Sequence, residues 1–177
     1  MSLADRVTEL ERHLANELPG FRVAYKEDSR VQRLLGAVLW PFNRRYLTAY
    51  TTVLGRTVWF PSRAWRREVG ERTIYEVLRH EAVHLRDARR YPLLFELSYL
   101  TLPLPALVTA RAWWELRAYR ESLAVSLELD GHVQSGQIDA IVSRFVGAEY
   151  LFMCPFPKTV RRLLCVDIPA DAILDET

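Results

Sequence analysis

The 177-residue chain is 50% hydrophobic and 26% charged, with a net charge of +2. Those proportions describe a folded domain rather than a disordered chain, and so small a charge argues against a nucleic-acid partner. Two cysteines, Cys154 and Cys165, are too few for a disulfide framework.

The expectation is a single domain over residues 1–177, with core enough to stand without disulfides or a structural metal. A metal site in such a chain is therefore expected to serve chemistry. Nearly all the positive charge is arginine, since only Lys26 and Lys158 are lysines. The clusters Arg63, Arg66, Arg67 and Arg86, Arg89, Arg90 are interspersed with acidic residues elsewhere and read as solvated faces.

In chain order, Ser2 to Leu18 places Leu3, Val7, Leu10, Leu14 and Leu18 among charges. That spacing predicts an amphipathic helix, not a signal peptide with its unbroken apolar stretch, and points to the cytoplasm. Pro19-Gly20 ends it, Phe21 to Tyr25 predicts a short strand, and Ser29 to Trp40 predicts a second helix stopping before Pro41. Tyr46 to Val53 and Thr57 to Phe60 are rich in β-branched and aromatic residues around a turn at Gly55. They predict a hairpin in a small antiparallel sheet.

Thr73 to Arg90 is helical in pattern, with Ile74, Val77, Leu78, Glu81 and Leu85 on one side. From Tyr91 to Trp114 the chain is apolar except for Glu96 and Arg111. This approaches the length of a membrane span, but Glu96, Pro103 and Pro105 favour a buried or partly exposed helical excursion over membrane contact. Helices are expected again over Arg111–Leu129, Ile138–Val146 and Thr159–Leu164, with a frayed tail beyond Pro169. The fold class is α+β: a small sheet on a central helix, then a helical C-terminal half.

Residues 80 to 84 read His-Glu-Ala-Val-His. On a helix, positions i and i+4 project from one face a turn apart, so His80 and His84 can ligate one Zn²⁺. Glu81 lies about 100° around the axis, where it reaches the zinc-bound water and can act as its general base. A catalytic zinc needs a third protein ligand. Glu115 is the best candidate, on a later helix beside Trp113, Trp114, Ala118 and Tyr119. A carboxylate in such a setting needs a partner, which could also be Arg111 or Arg117. Glu121 is the runner-up; Glu96 follows the metal helix too closely, and Asp87 suits the orientation of a histidine better than ligation.

Glu115-Leu-Arg-Ala-Tyr119 resembles the E-x-x-A-[DY] element that follows HExxH in gluzincin zinc peptidases. The hairpin from Tyr50 to Pro61 is similar to the sheet edge of minimal bacterial gluzincins. Together these features cover roughly residues 46 to 125. The resemblance implies a zincin-like fold, with His80, His84 and Glu115 as zinc ligands and Glu81 as catalytic base. It also implies an extended peptide substrate pairing with the strand at Thr57, Val58 and Trp59. Tyr119 stands where several such families have Asp. Tyr119, His132 and Tyr150 are alternatives for stabilising the oxyanion.

The expected function is hydrolysis of peptide bonds in a peptide or protein by a zinc-bound water activated by Glu81. Two rivals remain: a catalytically silent or latent zincin fold used for binding or membrane association, and a structural metal module with a closed four-ligand site. Intact Glu81 argues against the first, because a structural zinc has no use for a general base. The second would place His132 or another side chain where water sits, so coordination number separates it from the peptidase.

Overall fold

The computed structural model describes residues 1–40, 44–99, 105–147 and 152–175, with the backbone alone for 105–108. Two compact units, Met1–Arg86 and Asp87–Thr177, meet in sequence inside one continuous helix.

The first unit opens with α1 (Leu3–Glu17). Ser2 caps it reciprocally: its hydroxyl accepts from the Asp5 amide at 3.2 Å, and the Asp5 carboxylate accepts from the Ser2 amide at 3.0 Å. The periodic Val7, Leu14 and Leu18 are the residues this segment buries. Strand β1 (Arg22–Tyr25) follows, then a short 3-10 turn at Lys26–Asp28 and α2 (Arg30–Leu39), capped by Ser29.

Strands β2 (Thr52–Leu54) and β3 (Thr57–Phe60) form the expected hairpin, closed by Gly55 at φ 61°, a left-handed conformation that suits glycine. The sheet is mixed rather than antiparallel. Its order is β1-β3-β2, with β1 parallel and β2 antiparallel to β3. Val58 and Phe60 of β3 are fully buried, each stabilising the unit by about 1.5–3 kcal/mol.

Ser62 caps α3 (Arg63–Glu68), a helix absent from the sequence reading, and α4 (Gly70–Arg90) follows. Arg66 of α3 bonds Glu11 of α1 at 2.7 Å, and Arg86 of α4 grips Glu17 of α1 through two 2.7 Å bonds.

The second unit contains the last turn of α4, then α5 (Leu94–Tyr99) and α6 (Pro105–Asp130). Beyond Gly131 come β4 (Val133–Gln134), α7 (Ser135–Val146) and α8 (Pro157–Leu164). The tail does not fray directly after Pro169: a 3-10 turn at Ala170–Ala172 leads into β5 (Ile173–Leu174), which pairs in parallel with β4. The core of this unit joins Leu116, Tyr119 and Leu123 of α6 with Ile138, Ile141 and Phe145 of α7 and Val160 and Leu164 of α8. Cys154 and Cys165 are free thiols at its margin. Among the described residues, no helix is long and apolar enough to cross a membrane.

Candidate metal centre

Helix α4 presents His80 and His84 one turn apart, with ring centroids 5.0 Å apart and planes at 80°. His84 and Glu81 are buried, and His80 is half-buried. The helix buries these polar groups alongside Leu78, Ala82 and Leu85, so an apolar stripe surrounds the chemistry-bearing side chains.

Glu115 is buried on α6. His80, His84 and Glu115 each offer a ligand atom, and these atoms all lie within 4.8 Å of one another. Two imidazoles and a carboxylate are a donor set that borderline-soft divalent ions accept, zinc foremost among them. The group could hold a metal ion.

Glu115 is oriented by a residue that sequence reading did not single out. The Tyr99 hydroxyl donates to Glu115 Oε1 at 2.9 Å. Tyr99 is itself set by Phe95, whose ring centroid is 4.9 Å away, and by the Arg111 guanidinium, 5.4 Å from its ring centroid. On α6, Trp114 packs against Tyr91 at 5.3 Å and Phe95 at 6.1 Å. The apolar excursion after α4 thus contributes, through α5, the support for the carboxylate. Its residues 100–104 lie outside the described residues.

Asp87 is buried and accepts a hydrogen bond from Arg117, which lies two residues beyond Glu115. Burial pushes the Asp87 carboxyl up, and Arg117 and Arg90 act against that shift. The expected histidine-orienting role of Asp87 thus gives way to an ion pair that fixes α6 to the end of α4. Arg117, one of the two alternatives to a metal as partner of Glu115, is the partner of Asp87 instead.

Lys26 is buried, an unusual setting for a lysine. Its ammonium donates to the carbonyl oxygens of Tyr46 and Tyr50, both at 2.8 Å, and lies 3.7 Å from the Tyr46 ring centroid. Burial pushes its pKa down to about 7, opposed by the negative charge of Glu81. A buried lysine that titrates near neutrality therefore interacts electrostatically with Glu81, a feature without a local sequence signature.

The expected substrate strand is corrected. Thr57, Val58 and Trp59 all lie on β3, the middle strand, paired with Arg22, Val23 and Ala24 on one side and Leu54, Val53 and Thr52 on the other. Both hydrogen-bonding edges of β3 are occupied, so a peptide cannot add there. Glu96 is exposed and accepts from the Leu93 amide at 3.0 Å, whereas its position in an apolar run suggested burial. Trp113 is likewise exposed.

Of the residues proposed for the oxyanion, the Tyr119 hydroxyl accepts from Arg144 at 3.0 Å. His132 lies in the turn after α6, with its ring nitrogens 3.0 Å from the Asp130 carbonyl and 3.0 Å from the Gln134 amide. Tyr150 lies outside the described residues.

Comparison with protein-family models, curated proteins and solved structures finds no match to this chain.

Proposed function

We propose that this chain is a zinc-dependent peptidase of the gluzincin kind, with a zincin-like fold, acting on a peptide or protein substrate. The observation that carries the reading is the convergence of His80, His84 and Glu115 within 4.8 Å, with the buried Glu81 carboxylate next to the first of them. His80, His84 and Glu115 would hold the ion. Zinc supplies Lewis acidity, which polarises a carbonyl and makes a water acidic near neutral pH.

The rest of the chemistry belongs to the chain. Glu81 accepts a proton from the attacking water as its oxygen bonds to the scissile carbonyl carbon. It then returns a proton to the amide nitrogen as the C–N bond breaks, so the products are a carboxylic acid and an amine. Tyr99 keeps Glu115 in its ligating orientation. Lys26, buried and tied to two backbone carbonyls, lies within the field of the Glu81 carboxylate, which holds its pKa up against the effect of burial.

The test is hydrolysis of an unfolded protein substrate by zinc-loaded wild type and Glu81→Gln. The reading expects the variant to keep its zinc and lose activity by about 10²-fold or more. Wild-type activity in Glu81→Gln, or none in the zinc-loaded wild type, would overturn it.

A further inference from the structure

Helix α2 turns part of its apolar surface outward. Its inward positions are Gln32 and Gly36, both buried, while Val31, Leu34 and Val38 are 58%, 66% and 64% exposed. The interior side has its own logic. Gln32 Oε1 accepts from the Tyr46 hydroxyl at 2.6 Å, and Gly36 is glycine because a Cβ there would stand 2.6 Å from the Leu47 side chain. The helix is therefore anchored by a hydrogen bond and a close backbone approach, which leaves Val31, Leu34 and Val38 facing outward while Leu35 and Leu39 are half-buried. Val31, Leu34 and Val38, at spacings of three and four, form one stripe.

Cations flank this stripe. Arg30 and Arg33 occupy one side of the helix, both exposed, and neither forms an ion pair among the described residues. Just past the end of α2, Trp40 is 56% exposed and carries the Arg44 guanidinium 4.7 Å from its ring centroid. The asymmetry extends along the chain. Residues 29–67 contain eight arginines and no acidic residue, in a protein whose net charge is only +2. Of these, Arg63 pairs with Glu27 and Asp28, and Arg66 with Glu11, which offsets their charge.

We propose that the outward face of α2 docks on an anionic lipid membrane surface, with Val31, Leu34, Val38 and Trp40 entering the headgroup region and Arg30, Arg33 and Arg44 meeting lipid phosphates and carboxylates. A short apolar stripe alone binds a bilayer weakly, and the second signal needed for stable docking is positive charge beside it. Trp40, one residue past the end of α2, is of a residue type that suits the membrane–water boundary. The mode is peripheral, consistent with the lack of a spanning helix among the described residues. An acidic partner fits because Glu27 and Asp28, the carboxylates just before α2, are taken by Arg63, which leaves Arg30, Arg33 and Arg44 without an ion pair among the described residues. The inference stands independently of the peptidase reading.

The experiment is co-sedimentation of the full chain with phosphatidylcholine vesicles that contain phosphatidylserine, beside vesicles of phosphatidylcholine alone. Binding is expected to the anionic vesicles and to fall with added salt. The double substitution Arg30→Gln with Arg33→Gln should weaken it about tenfold or more, from roughly 1 kcal/mol per arginine. Leu34→Ser with Val38→Ser should abolish it without lowering the melting temperature, because both side chains are already exposed. Failure to bind anionic vesicles, equal binding to both vesicle types, or undiminished binding by both double variants would overturn the proposal. Dimerisation that Leu34→Ser abolishes, without vesicle binding, would overturn it and assign the face to a second copy of the chain.

Discussion

The hydroxyl of Tyr99 donates a 2.9 Å hydrogen bond to Oε1 of Glu115. Tyr99 is the last residue of α5, in the apolar segment that approaches the length of a membrane span and reads as a helical excursion. Its actual partner is the carboxylate of the candidate metal group. A hydrogen bond of this kind fixes which oxygen faces the ion and how far the carboxylate can rotate.

Tyr99→Phe should therefore weaken metal binding about 10- to 100-fold while leaving the melting temperature of the metal-free protein little changed. Competition with a chromogenic chelator measures the first quantity and calorimetry the second. Unaltered metal affinity in the variant would show that the hydroxyl does not orient the ligand.

Arg117→Ala should destabilise the fold by about 1–3 kcal/mol, because it removes the hydrogen-bonded cation of the buried Asp87 carboxylate and leaves only Arg90 acting in its favour. Urea denaturation checks the value. A loss below about 0.5 kcal/mol, the scale of an ordinary surface substitution, would mean that solvent replaces the guanidinium.

Lys26 predicts a pH dependence. Its pKa falls from 10.5 in the unfolded chain to about 7 in the fold, chiefly through burial. Between those values the unfolded chain holds the proton and the folded chain does not, so stability should rise as pH increases from 7 towards 10. Below about 7 both states are protonated and this contribution to the slope vanishes. Urea midpoints across the window should climb for wild type, and Lys26→Met should remove that part of the slope. An identical slope in the variant would contradict the assignment.

The parts legible in sequence were local. The i, i+4 histidines, the capping serines at 2 and 29, the Gly55 turn and the helices either side of Gly131 each declare themselves within a few residues. Glu115 was legible because a lone carboxylate among tryptophans and alanine needs a partner. What failed to show depends on distant pairing. Nothing in Thr57–Phe60 reveals that β1 pairs with its second edge, so in sequence a central strand reads as an edge. Strands β4 and β5 have two residues each and exist only through one another. Lysine is so regularly exposed that Lys26 gave no sign of burial. Helix α2 misled in the opposite sense: periodicity locates an apolar face but cannot say that Gln32 and Gly36 will turn it outward.

The most direct test of the metal centre is the zinc content of purified wild type beside Glu115→Ala and Glu81→Gln. The account predicts near-stoichiometric zinc in the wild type and in Glu81→Gln, and its loss in Glu115→Ala. No zinc in the wild type even after its addition, or undiminished zinc in Glu115→Ala, would contradict it.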